Sequence, residues 1–233
     1  MLHRVHAVNW SEAPVAAFPD ELVRMQGIAR RVAAWLAGEA DVVCLQEVSG
    51  ELLALLRSSA RGDVRVFEHL YPRLPRIRGE GGPVLTDATE HLVTLAVTPE
   101  ARELTGHTFA SDPGKGFLVV TLGDEVRIVN THVSFGANRA AKQLARVVES
   151  AVAPAIVVGD FNASVEAVQA DLGPTFCLSD LRGQPVTRIP TGDVAGRIID
   201  HVAVAGGTIA QATVLDAQLL SDHAPVAATV RLD

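Results

Sequence analysis

One pattern, strand then helix then strand, occurs once in each half of the chain. This repeat constrains the fold more than any other feature. In the first half an apolar run ends at Asn9, a helical pattern follows, and a second apolar run ends at Glu47. In the second half a run ends at residues 130–132, a helical pattern follows, and AIVVGD ends at Asp160. Each half therefore brings an amide or imidazole and a carboxylate to one sheet edge. Two sheets packed face to face, with helices outside, would bring both edges together.

Hydrophobic periodicity predicts the individual elements of an α/β chain. The first helix is expected to begin at an Asp20 N-cap, to end near Gly38 and to turn Arg24 towards solvent. Its predicted inward residues are Leu22, Met25, Ile28, Val32, Trp35 and Leu36. Further helices are predicted at 50–61, at 139–152 behind an Asn138 cap, and at 165–172. Strands are predicted at 5–10, 41–48, 91–97, 116–122, 126–133, 155–160, 197–205 and 225–232.

Length and composition favour one domain spanning residues 1–233. The chain has 48% hydrophobic residues and no low-complexity tract, so it can bury a sizeable core. No signal peptide or membrane segment is recognised, and we expect a cytoplasmic monomer. Cys44 and Cys177 are predicted to be reduced, small core residues, with a single disulfide bridge as the alternative. The net charge of −7 argues against non-specific coating of nucleic acid.

Polar residues that we place at strand exits form a candidate cation site. Taken singly, each has an ordinary explanation: an amide or Asp-His pair can close a turn, Glu47 can be a surface charge, and His132 can be a core histidine. Their recurrence along one chain favours a shared site. Oxygen ligands dominate and cysteine is absent from the set, which suits Mg²⁺ or Mn²⁺. The set comprises Asn9, Glu47, His132, Asp160, Asn162, Asp200, Asp222 and His223.

Six motifs in order carry a resemblance to a known family. They are VNW, LQEV, NTHVSFGANRAAKQ, VVGDFNA, RIIDHV and LSDHAPV, and they span residues 5–226. The series resembles the endonuclease/exonuclease/phosphatase superfamily, the DNase-I-like metal-dependent phosphoesterases. The resemblance implies a four-layer α/β/β/α sandwich, in which two mixed sheets pack face to face between outer helices.

The resemblance also implies a role for each matching position. Asn9, Glu47 and Asp222 match metal-associated residues. Asp160 matches the aspartate that orients the attacking water, and Asn162 matches the amide that holds the phosphate. His223, oriented by Asp200, matches the histidine that contacts the scissile phosphate, and His132 matches a second phosphate-side histidine.

These residues predict a Mg²⁺-dependent hydrolase of phosphate esters, foremost a phosphodiesterase or nuclease acting on nucleic acid or a nucleotide-like substrate. The alternatives are an esterase of a small molecule or lipid headgroup and, in another class, a binding module that lost turnover. The low aromatic content of 4% weakens the nucleic-acid prediction. An arginine excess at 57–78 fits a solvated loop or a phosphate-facing rim equally well. Arg76 and Arg78, together with Arg139, are the candidate substrate-binding residues.

Overall fold

A computed structural model of the chain describes residues 2–9, 21–71, 87, 89–123, 125–190 and 194–233. The helices are α1 (Glu21–Leu36), α2 (Gly50–Ser59), α3 (Ala137–Ser150) and α4 (Val165–Leu172). The strands are β1 (Leu2–Asn9), β2 (Val42–Ser49), β3 (Arg65–Tyr71), β4 (Glu90–Ala96), β5 (Arg102–Thr108), β6 (Gly116–Leu122), β7 (Val126–His132), β8 (Ala155–Asp160), β9 (Phe176–Leu178), β10 (Asp200–Ala205), β11 (Gly207–Val214) and β12 (Val226–Leu232).

The strands form two six-stranded sheets whose strand orders are β11-β12-β1-β2-β4-β3 and β5-β6-β7-β8-β10-β9. Alternate residues of one strand belong to different apolar clusters, as the pleat requires. In β8, Ile156 and Val158 pack in the cluster between the sheets, whereas Val157 packs under α3 and α4. In β2, Val43 and Leu45 likewise pack under α1 and α2. One apolar cluster therefore lies between the two sheets, and one lies between each sheet and its outer helices. This arrangement confirms the predicted α/β/β/α sandwich.

The two-fold repeat seen in the sequence corresponds to two parallel strand pairs. β1 pairs in parallel with β2, and β7 pairs in parallel with β8, with α1 and α3 as the respective crossovers. Gly159 permits close approach in the second pair: a Cβ built on it would lie 1.8 Å from the Thr131 carbonyl oxygen. The carboxyl ends of all four strands therefore meet at one edge of the sandwich.

Four strands were not predicted, namely β3, β5, β9 and β11. All four are edge strands; β5 is mostly exposed and β3 and β11 are only partly buried, so these three lack the apolar runs that mark buried strands. The predicted strand at 197–205 begins instead at Asp200. The helix predicted at 139–152 begins at Ala137 behind Gly136, so the Asn138 cap was wrong.

Three side chains differ from prediction in their burial. Leu22 on α1 is exposed, whereas Arg24, predicted to face solvent, is buried. Arg24 is accommodated because its Nε donates to Glu21 Oε2 at 2.8 Å and its Nη1 donates to the Leu220 carbonyl at 2.6 Å. Cys44 is buried as expected, but Cys177 is exposed; both thiols are free.

The Asp20 cap lies outside the described residues. Among the described helices, none combines the length and apolar character needed to span a membrane.

His6 on β1 makes the stability of the fold depend on pH. Its ring is buried and packs edge-on against Trp35 at 5.0 Å, and burial lowers its pKa from 6.5 to about 4. Between these pH values the unfolded state binds the extra proton, so the free energy of unfolding should fall as the pH drops from 6.5 to about 4.

We expect His6→Phe to remove this dependence while keeping an aromatic ring against Trp35. From pH 7.5 to pH 4, wild type should lose about 3 kcal/mol more unfolding free energy than the variant does. Urea denaturation of both proteins across this range measures the difference. Parallel pH curves for the two proteins would show that His6 is not the responsible group.

Candidate functional site

The polar edge of the sandwich gathers residues from strand ends and from strand beginnings. Glu47, His132 and Asp160 lie at or near the carboxyl ends of β2, β7 and β8. The prediction placed the remaining candidates at strand exits too, and this was wrong for three of them. Asp200 opens β10, which runs antiparallel to β8, and Asp222 and His223 precede β12. Antiparallel neighbours bring their amino ends to the same edge, so these residues still reach it.

A network of buried amide groups connects the two sheets beneath this edge. Asn130, on β7, donates through Nδ2 to the carbonyls of Leu45 at 3.1 Å and Val93 at 2.9 Å, and it accepts from Gln46 Nε2 at 2.6 Å. These bonds tie one sheet to the other. The pairing of β2 with β4 is interrupted between Leu45 and Val48, and Glu47 there has a φ of +55°, which non-glycine residues rarely adopt.

Lys115, His132 and Glu47 form one half of the site. Lys115 Nζ lies 3.8 Å from Glu47 Oε1 and 3.2 Å from His132 Nδ1, and it also contacts His132 Nε2. His132 Nε2 in turn lies 3.8 Å from Glu47 Oε1. The Lys115 side chain is only 15% exposed, so its ammonium group is held inside the site rather than in bulk solvent.

Asp160 lies between this half of the site and a second half that contains Asp200 and His223. Its Oδ2 lies 3.2 Å from His132 Nε2, and its Oδ1 accepts from the backbone N–H of Asn162 at 2.8 Å. Asn162 has a φ of +50°, and its Nδ2 donates to the Val133 carbonyl at 2.9 Å and to Asp160 Oδ2 at 3.2 Å. Burial alone would raise the pKa of the Asp160 carboxyl, but the hydrogen bond from His132 and nearby positive charges hold it well below its usual range. Asp160 is therefore ionised at neutral pH.

Asp200 and His223 form a buried pair in the second half. His223 Nδ1 lies 2.9 Å from Asp200 Oδ2, and each side chain is 1% exposed. Burial alone would lower the pKa of His223, but the charge and hydrogen bond of Asp200 raise it to about 9. The imidazolium is therefore the main form at neutral pH, with its other nitrogen left for a further contact.

Asp222 lies beside this pair on the segment before β12. Its Oδ2 is 3.5 Å from Arg188 Nη2, whereas its Oδ1 is buried without a hydrogen-bond partner among the described residues. Thr187 fixes the neighbouring backbone, because its Oγ1 accepts from the N–H groups of Ile199 at 3.0 Å and Asp200 at 3.1 Å. A buried carboxylate oxygen without a donor suits a position next to a cation.

Two residues of this edge escaped the sequence prediction, Lys115 and Glu90. Glu90 opens β4, and Lys115 stands immediately before β6. Both lie at strand beginnings, which the search for polar strand exits did not consider. Glu47, Glu90 and His132 each offer a ligand atom within 4.8 Å of the others, as do Asp160, Asp200 and His223. Hard oxygen donors predominate in both groups, so the donor chemistry fits a divalent cation such as Mg²⁺.

The side chains of three predicted site residues lie outside the described part of the chain, and a fourth residue, Arg139, lies within it. The Asn9 backbone ends β1 and pairs with Gln46, while its side chain lies outside the described part of the chain. Arg76 and Arg78 also lie outside the described residues. Arg139, in the first turn of α3, is half-exposed and stands 3.8 Å from Asp112 Oδ2, which accepts a hydrogen bond from Ser134 Oγ at 2.8 Å.

A comparison with protein-family models identifies the family of the chain. The family model described as "Endonuclease/Exonuclease/phosphatase family" matches residues 22–223, most of the chain. The chain belongs to this family. The resemblance seen in the six motifs is thereby confirmed. No curated protein matches the chain in sequence.

Solved structures of the family share the fold at low sequence identity. D. rerio TDP2 complexed with single strand DNA product has a TM-score of 0.71 and 16% identity, over 99% of each chain. The endonuclease/exonuclease/phosphatase from Bacteroides vulgatus has a TM-score of 0.69 and 19% identity, over 100% of each chain. The family protein from Bacteroides thetaiotaomicron has a TM-score of 0.71 and 17% identity, over 100% of this chain and 98% of the other. At these identities the likeness defines the fold alone.

Proposed function

We propose that this family member is a divalent-metal-dependent phosphodiesterase acting on nucleic acid or a nucleotide-like ester. The observation that carries the proposal is the convergence of an ionised Asp160, a charged His223 and the Glu47 carboxylate at one edge. Hydrolysis of a phosphate ester needs a positioned water and positive charge around the phosphate oxygens, and this set of residues provides for both.

Glu47 and Asp222, together with Asn9, are the residues proposed to hold the cation, and Glu90 adds a carboxylate near Glu47. When bound, Mg²⁺ or Mn²⁺ would neutralise charge on the phosphate oxygens. The buried Asp222 oxygen that lacks a donor supports this assignment. That the bound ion is Mg²⁺ or Mn²⁺ is part of the proposal.

Asp160 is proposed to orient the attacking water by accepting its hydrogen bond. Its low pKa makes it a weak base, so its main contribution is placement. The Asn162 N–H bond at 2.8 Å and the His132 contact at 3.2 Å fix the carboxylate from two sides. Asn162 is proposed to hold the phosphate, with the orientation of its amide fixed by the Val133 carbonyl.

His223 and Lys115 are proposed to face the phosphate as fixed positive charges. Asp200 keeps the His223 ring charged and oriented, so Asp200 acts as a positioning residue. His132, between Glu47 and Asp160, is proposed to assist on the leaving-group side. Phosphoryl chemistry depends chiefly on placement and charge neutralisation, so no covalent nucleophile is required.

Two observations support a nucleic-acid or nucleotide-like substrate. The chain shares its fold with D. rerio TDP2, whose structure holds a single strand DNA product. Cationic side chains are also available at this edge, with Lys115 beside Glu47, Arg188 beside Asp222 and Arg139 at the start of the helix that follows β7. The alternative is a small-molecule or lipid-headgroup ester, which the net charge of −7 disfavours less than it disfavours a polyanionic nucleic acid.

An activity panel tests the proposed function. Full-length protein is incubated with Mg²⁺, Mn²⁺ or EDTA and with single- and double-stranded DNA, RNA, dinucleotides, sugar and inositol phosphates, and choline phospholipid. We expect metal-dependent hydrolysis of a nucleotide-containing diester. Preference for a monoester or a lipid would support the alternative, and no hydrolysis of any ester with either ion would contradict the proposal.

Glu47→Gln should raise the Mg²⁺ concentration needed for half-maximal rate by about tenfold or more, because a carboxylate ligand becomes a neutral amide. Glu103→Gln, which alters an exposed carboxylate on β5, is the matched control. Metal titrations of the rate, and of the thermal unfolding temperature, give two independent readouts. Superimposable titrations for wild type and Glu47→Gln would remove Glu47 from the metal site.

Lys115→Met should lower kcat/KM by about 100-fold, because a fixed positive charge facing the phosphate is lost while the alkyl stem is kept. Lys115→Arg, which keeps the charge, should retain a larger share of activity. The metal requirement should not rise in Lys115→Met, since the substitution removes a cation that lies near Glu47. Unchanged kinetics in Lys115→Met would exclude the side chain from the reaction.

A further inference from the structure

An exposed aromatic ring lies next to the candidate site. Phe135 follows His132 by three residues on the segment that leaves β7 at the polar edge. It is 58% exposed, and it is the one aromatic ring among the exposed large apolar side chains of the described residues. An aromatic ring in water at the edge of a polar site indicates a surface that another planar group can cover.

Hydrogen bonds on one side of Phe135 and a helix on the other hold its backbone in place. The N–H of Ser134 donates to Gln143 Oε1 at 2.7 Å, and Ser134 Oγ donates to Asp112 Oδ2 at 2.8 Å. Gln143 Nε2 also donates to Ser134 Oγ at 2.8 Å. Gly136, directly after Phe135, is the N-cap of α3. The ring is therefore presented from a fixed backbone, which lowers the entropy cost of covering it.

Two arginines connect this ring to Asp222. The Arg197 guanidinium lies over the Phe135 ring, with its carbon 4.7 Å from the ring centre, and Phe135 remains 58% exposed beside it. The backbones of Arg197 and Arg188 pair through hydrogen bonds of 2.8 and 3.1 Å, and Arg188 Nη2 lies 3.5 Å from Asp222 Oδ2. We call Phe135, Arg188 and Arg197 the stacking rim. It combines a planar apolar face with two positive charges at the side of the site where Asp222 and His223 lie.

We propose that the stacking rim binds the base of a nucleotide next to the scissile phosphate, so that the substrate is a single-stranded nucleic acid. This inference rests on the proposed function and deepens it. A base offers a flat π-face for Phe135, and the flanking phosphates offer charge for the guanidinium groups. Inside a duplex the base faces are covered by neighbouring base pairs, whereas the bases of an unpaired strand can be splayed out and stacked on an aromatic side chain. Sugar phosphates lack the π-face on which this stacking depends.

Binding of oligonucleotides with one abasic residue tests this inference. A fluorescent single strand of DNA is prepared as a series in which the abasic residue occupies each position in turn. Affinity for the full-length protein is measured by anisotropy in EDTA, where binding is separated from hydrolysis. We expect one position at which loss of the base weakens wild-type binding about tenfold. Phe135→Leu, which keeps an apolar side chain without a π-face, should reduce that penalty to about twofold or less.

Two further variants complete the test. Phe135→Trp should keep the positional penalty, because it keeps a stacking face. Leu104→Ala, which removes a half-exposed leucine from the edge strand β5, should behave as wild type. Equal abasic penalties in wild type and Phe135→Leu at every position would overturn the stacking rim even if the activity panel shows a metal-dependent diesterase. Failure of the proposed function would appear separately, as the absence of metal-dependent hydrolysis in that panel.

Discussion

Replacing Asp160 with asparagine is expected to lower the turnover number by about three orders of magnitude and to leave the fold intact. The carboxylate is held ionised by its neighbours, and the substitution replaces one of its two accepting oxygens by an amide nitrogen, which donates hydrogen bonds and cannot accept one from water. The shape of the side chain is unchanged, so packing between the sheets is preserved. Steady-state kinetics with a diester identified in the activity panel measure the effect.

The matched control for Asp160→Asn is Asp63→Asn, which makes the same chemical change at an exposed aspartate paired with Arg61. It should leave turnover unchanged, because surface ion pairs of this kind contribute little to stability. Circular dichroism should show a folded protein in both variants. Turnover close to wild type in a folded Asp160→Asn protein would remove Asp160 from the mechanism.

Breaking the buried pair of Asp200 and His223 is expected to have the second large effect. Asp200→Asn should lower kcat by about 100-fold or more at pH 8, because the His223 ring loses the charge that keeps it protonated. With Asp200 present, the pKa of His223 is about 9, so wild-type activity should decline only as the pH rises through that value. In Asp200→Asn, only the charges of Asp160 and Asp222 still oppose the effect of burial on the pKa of His223, so the decline should move to lower pH.

A double-mutant cycle separates this role from general destabilisation. If Asp200 acts through the ring, Asp200→Asn should cost little further activity in a His223→Asn background. A purely structural role would instead lower activity by the same factor in both backgrounds and would leave the pH profile in place. Thermal unfolding of all four proteins shows how much of each loss reflects stability, which a broken buried pair also reduces.

The buried elements were predictable because their pattern is local. AIVVGD, DVVCLQEV and the helix at 165–172 have periodicities that short windows reveal, and their structure matches the prediction closely. The edge strands β3 and β5 carry polar residues on both faces. They become strands because a neighbouring strand pairs with them, and that pairing is a tertiary effect that their own sequences do not encode.

The same distinction explains which site residues were found. Glu47, Asp160 and His223 stand in motifs whose order along the chain indicates a shared edge, and the structure brings them to it. Lys115 and Glu90 carry no such motif, and they reach the site only because β6 and β4 run antiparallel to β7 and β2. Phe135 could not be distinguished from a core residue by its sequence, because its exposure depends on how the segment after β7 leaves the sheet.

The burial of Arg24 shows the same limit for charged residues. Helical spacing places it at the boundary of the apolar stripe of α1, and composition alone assigns such a residue to solvent. Its burial depends on Glu21, one turn away, and on the Leu220 carbonyl, which lies 196 residues further along the chain. A local pattern can indicate the first of these partners and gives no access to the second.

The central claim is that the polar side chains of the candidate site converge on one hard cation. Anomalous diffraction from crystals soaked in Mn²⁺ tests this claim most directly. We predict an anomalous peak within bonding distance of the Glu47 carboxylate in wild type, and its loss or strong reduction in Glu47→Gln. A wild-type map with Mn²⁺ bound only elsewhere, or not at all at saturating concentration, would contradict it.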